Sequence, residues 1–331
     1  MIEVSVVVPM YRVADFIERC AISLFGQTFT NLEYVFVNDC TPDNSVEILN
    51  SILDRFPDRK KYVKIINHNE NKGLACARNT GVKNACGNFI LHIDSDDYVD
   101  KDMVADMYGF AIAQDADVVV SDYWIEWENK RNYIKQNFNE DVKTFVKMLI
   151  EGDAAPVVWN KLFKRELYTR NNIYAIEGIN YGEDITVTPK LCYYAKKIVK
   201  IDKAYVNYVQ YNINSYSNSV SKNNIKNVAL VYKSLYDFFA EDDGKRELLL
   251  SVNKGQIYKK IELIRETDID KVSYILEMFP DIITQQNLKD NIGRVDRIIV
   301  FLLKKNFIFG LKIFLYIYKS LRKIIRNLKN H

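Results

Sequence analysis

The chain has 331 residues, 48% of them hydrophobic and 27% charged, which excludes a disordered protein and predicts one large or two medium domains. Three His and five scattered Cys exclude a His-rich metal centre and a disulfide framework, so a reduced protein is expected. The net charge of +3 gives no whole-chain case for nucleic-acid binding.

Short apolar runs alternate with amphipathic stretches over the first 120 residues, which is typical of βαβ units. In chain order, strands and helices are predicted alternately at 4–8, 14–25, 33–37, 43–56, 63–66, 72–85, 89–93, 101–114 and 117–120. Further on we expect helices and loops, a strand, a Ser- and Asn-rich loop and helices, at 121–183, 198–211, 212–224 and 225–292 respectively. The prediction is therefore a mostly parallel α/β sheet over 1–224, followed by a helical region over 225–293.

Polar clusters follow three of the predicted strands, where an α/β sheet binds its ligands. Pro9 to Tyr11 follow the first strand and Asn38 to Asp43 the second, while Asp94, Asp96 and Asp97 follow the fourth. Neighbouring carboxylates repel one another, and Mg²⁺ or Mn²⁺ bridging them to a diphosphate would relieve the repulsion. The alternative is a solvated acidic turn that caps the next helix. Glycine-rich phosphate loops of the GxGxxG and P-loop kinds are absent from the sequence.

The end of the chain is basic and apolar at once. Residues 294–331 hold ten Lys or Arg and one acid, a net charge of +9, so the preceding 293 residues carry −6. Lys305, Lys312, Lys319 and Arg326 recur every seven residues, which predicts one cationic stripe opposite an apolar side. We expect this segment to lie on an anionic membrane surface as one amphipathic helix, or as two about Gly310. The alternative is a terminal helix that packs on the body of the protein.

Taken together, several motifs in order resemble the family 2 glycosyltransferases of GT-A fold. The similarity runs over residues 3–100 and continues more weakly to about 220. The motifs are V4-S-V-V-V-P-M-Y11, S23-L-F-G-Q-T28, N38-D39, N71-K-G73 with A77-R-N79, D94-S-D-D97, W159-N-K-L-F-K164 and G182-E-D184.

The resemblance implies a nucleotide site of six residues. Pro9 and Tyr11 would hold the uridine, with the Tyr11 ring stacked on the base, and Asp39 would accept the uracil N3–H. Gly73, Arg78 and Asp94 would lie near the ribose and the diphosphate. Cys40 stands where the family has Gly, which predicts a stiffer loop.

The resemblance also implies the residues of the reaction. Asp96 would bind the metal, Mn²⁺ or Mg²⁺, and Asp97 would face the donor sugar. Asp184 would be the general base, with Glu183 beside it. Trp159 and Lys161 would line the acceptor side. For Trp159 the alternative is core packing, and for the Glu183–Asp184 pair it is a favourable charge at a helix N-terminus.

The predicted function is metal-dependent, inverting transfer of a sugar from a UDP-sugar to a saccharide acceptor in cell-surface polysaccharide biosynthesis. The basic segment suggests a polyprenyl-linked acceptor and a cytoplasmic protein on the inner face of the cytoplasmic membrane. The N-terminal residues show no signal-peptide pattern. Two alternatives remain: a sugar nucleotidyltransferase, and a non-catalytic membrane-associated subunit of the same fold. The donor sugar, the linkage, the choice of metal and the oligomeric state stay open.

Overall fold

The computed structural model describes residues 2–212, 221–241, 243–279 and 292–329. The chain divides into two compact units, residues 1–218 and 219–331. The boundaries expected from the sequence, at 224 and 293, stay predictions. The strands are β1 (Val4–Met10), β2 (Leu32–Asn38), β3 (Val63–Asn67), β4 (Phe89–His92), β5 (Tyr98–Val99), β6 (Val118–Trp127), β7 (Lys130–Ile134), β8 (Lys161–Lys164) and β9 (Ile198–Val209). The helices of the first unit are α1 (Ile17–Phe25), α2 (Ser45–Leu53), α3 (Pro57–Lys60), α4 (Leu74–Asn84), α5 (Met103–Ala113), α6 (Val142–Glu151), α7 (Arg165–Asn171) and α8 (Glu183–Tyr194).

All nine strands form one sheet in the order β3-β2-β1-β4-β8-β6-β9-β5, with β7 paired to β6. Strands β1 to β4 are parallel to one another, and β6 is parallel to β9. Strands β5, β7 and β8 run antiparallel to their neighbours. The predicted α/β fold is present, but the sheet is mixed rather than mostly parallel. The reason is that the region 121–183, expected to hold only helices and loops, supplies most of β6 and all of β7 and β8.

The reversed strand β8 decides what meets at the functional edge of the sheet. Because β8 is antiparallel to β4, it begins beside the end of that strand, where Leu162 pairs with Leu91. Its first residue, Lys161, pairs with Val120 of β6, and β6 continues beyond this point to Trp127. Strand β9 is parallel to β6 and ends at the same edge. Residues 158–161 and 208–212 are therefore brought beside the ends of β1, β2 and β4.

Burial on both sides explains why the first strand is a continuous apolar run. Every residue of β1 is buried, with α1 on one face and α4 on the other. Helix α1 buries Ile17, Cys20, Ala21 and Leu24, the spacing of one helical face. Helix α4 can lie close to the sheet because Gly81 has no side chain. A Cβ at this position would come 2.2 Å from Val7 Cγ1. This close packing sets the depth of Arg78, which is carried by the same helix.

The second unit is helical in its described residues. Part of the predicted loop 212–224, residues 213–220, and part of the predicted helical region, residues 280–291, lie outside them. No described helix is long and apolar enough to cross a membrane. The helices are α9 (Lys222–Ala240), α10 (Asp243–Arg246), α11 (Leu249–Glu266), α12 (Val272–Met278), α13 (Arg294–Lys304) and α14 (Ile308–Lys329).

The basic segment forms two helices, α13 and α14, and the break falls at residues 305–307 rather than at Gly310. The predicted cationic stripe does not face outward as a whole. Lys312 donates to Ser273 Oγ at 3.0 Å and Lys319 donates to the carbonyl oxygen of Thr267. Both side chains therefore turn toward the other helices of the second unit. The side chains of residues 325–331 lie outside the described part of the chain.

Candidate active site

A cavity of about 490 Å³ opens at the strand ends of the first unit, a size typical of small-molecule sites. Three of the predicted site residues, Gly73, Asp97 and Lys161, do not line it. The predicted residues that do line it are Pro9, Tyr11, Asp39, Arg78, Asp94, Asp96, Trp159, Glu183 and Asp184.

Arg78 is the centre of one group of charges, which we call the Arg78 cluster: Arg78, Asp94, Glu183 and Asp184. Arg78 is 4% exposed, and its guanidinium donates to Asp94 Oδ1 at 2.7 Å and to both Glu183 and Asp184. Asp184 Oδ2 also accepts the Val158 N–H at 3.3 Å. Arg78 is therefore the charge partner of three carboxylates of the protein.

One cation does not neutralise three carboxylates. Burial and the neighbouring Asp184 raise the pKa of Glu183, and burial raises the pKa of Asp184 against the pull of Arg78. The two carboxyls therefore release their protons at a higher pH than carboxyls in water. Asp184 combines a fixed orientation with raised basicity, which are the properties of a general base.

The two acids that follow, Asp96 and Asp97, form a different group, which we call the Asp96 turn. Asp96 Oδ2 accepts from Asn212 Nδ2 at 2.8 Å, and Asp97 Oδ1 accepts the Val209 N–H at 2.8 Å. Neither acid forms an ion pair with any described residue, and the buried Asp97 Oδ2 has no hydrogen-bond partner among them. Burial and Asp94 raise the pKa of Asp96 to about 6, and burial and Asp96 raise that of Asp97.

Asp39 is held at the end of β2 by three hydrogen bonds. Its Oδ1 lies 2.7 Å from His68 Nδ1 and accepts the Lys72 N–H at 2.9 Å, and its Oδ2 accepts the Gly73 N–H at 2.7 Å. A carboxylate offers about four acceptor positions, so one position on Oδ2 remains toward the cavity.

Gly73 supports Asp39 and does not touch the cavity. It has φ +86°, and a Cβ there would come 2.3 Å from the Asn180 amide, so a side chain would disturb both the backbone and Asn180. The sequence prediction placed Gly73 near the ribose and diphosphate. In the structure its N–H instead fixes the carboxylate proposed to read the base.

Cys40 adopts the backbone conformation that glycine favours. Its φ is +55°, in the left-handed region, which explains why Gly is the ordinary residue at this position of the motif. Arg12 is also left-handed, at φ +54°, and its N–H donates to Thr41 Oγ1 at 2.8 Å. The Arg12 guanidinium lies 5.3 Å from the centre of the Tyr11 ring. The loops that follow β1 and β2 are thus joined to each other.

Aromatic rings form the wall on the side of β8. Trp159 is only 4% exposed, stacks on Tyr208 at 5.1 Å and meets the edge of Tyr123 at 4.8 Å. The alternative for Trp159, core packing, is therefore present, and the ring also borders the cavity. Tyr208, which also lines the cavity, is the more exposed of the stacked pair.

Lys161 is fully buried behind this wall. Its ammonium donates to the carbonyl oxygens of Ala155 and Val157 and to Asn160 Oδ1, at 2.7–2.9 Å. Burial lowers the pKa of Lys161 to about 8. The described geometry gives Lys161 the task of shaping segment 155–157, whose Pro156 and Val157 line the cavity, and not of touching a sugar directly.

Two residues of the site were missed by the sequence reasoning. His68 directly follows β3, so the rule that marked the other strand ends would have found it. Asn212 lies three residues after β9, in a stretch without a recognisable motif, and the pairing of β9 with β5, the strand that directly follows Asp97, brings it to Asp96.

The donor set fits a divalent cation. Within the described residues, three His, Cys, Asp or Glu side chains do not converge on one point. Mg²⁺ and Mn²⁺ do not need such a cage, because they commonly take one or two carboxylates together with the phosphates of a substrate. Asp94 and Asp96 supply these carboxylates in the cavity wall, and the buried Oδ2 of the neighbouring Asp97 has no hydrogen-bond partner among the described residues.

The family model described as glycosyl transferase family 2 matches residues 5–170. The chain belongs to this family, and the predicted resemblance is confirmed.

Relatives agree with this assignment. The uncharacterized glycosyltransferase EpsJ of Bacillus subtilis is 35% identical over 188 residues, which are 55% of this chain and 53% of EpsJ. The poly(ribitol-phosphate) beta-glucosyltransferase of Bacillus spizizenii is 33% identical over 204 residues, 59% of this chain and 30% of that protein. The chain thus spans about half or less of the length of these relatives.

Solved structures confirm the fold. Residues 1–349 of S. aureus TarS, in complex with UDP-GlcNAc, superpose with a TM-score of 0.70 and 19% identity. The likeness covers 96% of this chain and 92% of that one. It includes the helical region, which the sequence motifs do not reach.

Proposed function

We propose that this protein is a metal-dependent, inverting glycosyltransferase that moves a sugar from a UDP-sugar to a saccharide acceptor. The observation that carries the proposal is that Asp39, Asp96 and Asp184, which come from three separate motifs, line one cavity. A base-reading carboxylate, a metal-ligand carboxylate and an oriented basic carboxylate are the parts that this reaction requires. Membership of family 2 supports the same reaction class.

Recognition of the nucleotide is assigned to Asp39 and Tyr11. The remaining acceptor position of Asp39 suits the N3–H of uracil, which is a donor at a fixed place on a flat ring. Tyr11 lines the same cavity as Asp39, and its ring offers an apolar face to the base. A purine would present a different edge to Asp39, so we expect selectivity for UDP over GDP and ADP. The UDP-GlcNAc bound by TarS agrees with this expectation.

Asp94 and Asp96 are assigned to the metal, Mn²⁺ or Mg²⁺. When bound there, the ion would offset the negative charge that grows on the departing diphosphate. Asn212 fixes the rotamer of Asp96 through the amide contact. Arg78 holds Asp94 on its other side, so both proposed ligands are oriented before any substrate arrives.

Asp184 is assigned the proton transfer. It would take the proton of an acceptor hydroxyl while that oxygen forms a bond to the sugar C1, on the face opposite the UDP. The bond from C1 to the diphosphate oxygen breaks, UDP leaves with its electron pair, and the configuration at C1 inverts. General-base help of this kind is worth about 10²–10⁴ in rate. Arg78 and the Val158 N–H keep the carboxylate aimed.

The acceptor is proposed to be a growing bacterial surface polysaccharide carried on a polyprenyl lipid. Support comes from the relatives, which are bacterial glycosyltransferases and include one named for a poly(ribitol-phosphate) substrate. It also comes from the basic, apolar residues 294–331, which suit a protein that works at the inner face of the cytoplasmic membrane.

Binding of UDP to the full chain tests the proposal. Calorimetry with UDP, GDP and ADP, each with and without Mn²⁺, should give tight binding only for UDP in the presence of Mn²⁺. Asp39→Asn should remove the preference for UDP, and Asp96→Asn should remove the effect of Mn²⁺. Asp122→Asn, a buried acid outside the cavity, is the control and should change neither. Equal binding of all three nucleotides, or none with metal, would overturn the assignment.

A further inference from the structure

Helices α13 and α14 each have one face packed within the second unit. On α13, Ile299 and Val300 are buried, and on α14, Leu311 and Leu315 are fully buried. Polar contacts hold the same sides: Arg265 binds Asp296 of α13 at 2.7 Å, and Arg322 of α14 binds Glu266 at 2.7 Å. The two helices are therefore fixed elements with a defined outer side.

The outer side of α14 is apolar. At about 100° per residue, positions 309, 310, 313, 316, 317, 320, 321, 323 and 324 fall on the side opposite Leu311 and Leu315. Ser320 and Lys323 are the two polar residues among them, Lys323 lies at the margin, and Gly310 has no side chain. The other six side chains are 45–71% exposed: Phe309, Ile313, Tyr316, Ile317, Leu321 and Ile324. A water-facing helix side normally carries charges, so this apolar stripe marks an interaction surface.

The outer side of α13 combines apolar and basic residues. Ile298 is 41% exposed and Phe301 is 59% exposed. The exposed cations Arg294, Arg297 and Lys304 lie on the same side of the helix as these two. From Arg297 to His331 the sequence contains no Asp or Glu. Positive charge therefore accompanies the exposed apolar surface and is not balanced within it.

We propose that the outer faces of α13 and α14 form a binding surface for an anionic lipid bilayer. The apolar side chains of α14 would enter the boundary of headgroups and acyl chains, and the cations of α13 would contact the anionic headgroups. The proposal rests on the membrane location within the proposed function, but it uses no residue of the cavity. It differs from the sequence prediction in its surface, because Lys312 and Lys319 face the second unit rather than the outside.

Charge favours lipid over a second copy of the chain. Two such surfaces facing each other would bring like charges together, with no acid from residue 297 onward to pair with them. The geometry favours lying along the bilayer. Helix α14 has 22 residues, about 33 Å at 1.5 Å per residue, yet no described helix meets the requirements for a membrane span.

The test is flotation of the full chain with two kinds of vesicle. One is phosphatidylcholine alone, and the other is equal parts phosphatidylcholine and phosphatidylglycerol. The protein should float with the anionic vesicles, and salt should weaken that binding. The variant Ile313→Asp/Ile317→Asp should bind them about 100-fold more weakly. Each change removes an apolar side chain that the bilayer would bury and adds a negative charge that the anionic headgroups repel. Arg297→Gln/Lys304→Gln should lose mainly the preference for phosphatidylglycerol.

The matched control is Leu230→Asp/Leu250→Asp, which changes two exposed leucines of α9 and α11 and should leave flotation unchanged. Equal flotation of the α14 variant and the wild type would overturn the proposal. So would a wild-type dimer, seen by sedimentation, that the α14 variant turns into a monomer without any vesicle binding. UDP binding of each variant checks its fold. If the wild type floats with anionic vesicles but does not bind UDP, the proposed function is rejected and the proposed membrane surface is not.

Discussion

The Arg78 cluster and the Asp96 turn lie in the same cavity region but handle negative charge in opposite ways. In the Arg78 cluster, one guanidinium donates to three carboxylates. In the Asp96 turn, two carboxylates receive hydrogen bonds from an amide and a backbone N–H, and no described cation pairs with them. The first group contains a cation of the protein, whereas the second has none among the described residues.

The presence or absence of a protein cation distinguishes two kinds of carboxylate within one acidic site. Uncompensated carboxylates cost stability in a folded protein, and the divalent cation of the proposed function would supply the missing positive charge. The compensated carboxylates are instead held in one geometry, which a proton acceptor needs. Four predictions follow the size of the effect expected from this contrast.

The largest effect is expected for Asp184→Asn. The amide keeps the shape and an oxygen for Arg78, but it does not accept the proton, so turnover should fall about 10²–10⁴-fold. UDP binding should stay close to that of the wild type. Release of UDP from UDP-sugars, together with calorimetry, measures both. Glu183→Gln is the matched variant in the same cluster and should lose less activity; a larger loss there would move the base to Glu183.

The next effect is on stability. Arg78→Met leaves three carboxylates without their cation and should lower the free energy of unfolding by about 3–5 kcal/mol. Urea denaturation measures the change. Arg165→Met is the control, because Arg165 donates to the Gly87 carbonyl oxygen and forms no ion pair among the described residues. Its loss should be about 1 kcal/mol. Similar losses in both variants would mean that Arg78 acts through packing alone.

Lys161 extends the comparison to a buried cation that lacks a carboxylate hydrogen bond. Burial lowers its pKa from 10.5 to about 8 in the folded protein, so between these values the unfolded chain binds more protons. Stability should therefore rise by about 3 kcal/mol as the pH increases from 8 to 10.5. Lys161→Met should lack this part of the pH profile. Parallel profiles for the two proteins would show that folding does not lower the pKa of Lys161.

The smallest effect is expected for Asp96→Asn without metal. Removing a carboxylate that has no cation should raise the free energy of unfolding by about 1 kcal/mol. Asp122→Asn is the matched control, since Asp122 is buried and pairs with Lys200 at 2.8 Å. It should destabilise the protein. The opposite signs would sharpen the comparison, and destabilisation by both variants would break it.

Much of this protein is readable from its sequence because the governing interactions are local or periodic. The strand β1, with every residue buried, and the helix α1, with one apolar face, follow from period and composition. The rule of the strand ends then placed Asp39, Asp94 and Asp96 together, because parallel neighbours share an edge. The order of motifs gave the family, which the family model confirms.

Only the tertiary structure decided what these residues contact. Strand β8 has four residues with Lys at both ends, too short for a periodic signal, yet its reversed pairing carries Trp159 and Lys161 to the site. The partners of Arg78 lie 16 to 106 positions away along the chain. Asn212 meets Asp96 across 116 positions. Likewise, both sides of α14 are apolar in sequence, and packing of Leu311 and Leu315 against the second unit decided which side stays exposed. Sequence fixes local preference, whereas long-range pairing chooses among partners of similar chemistry.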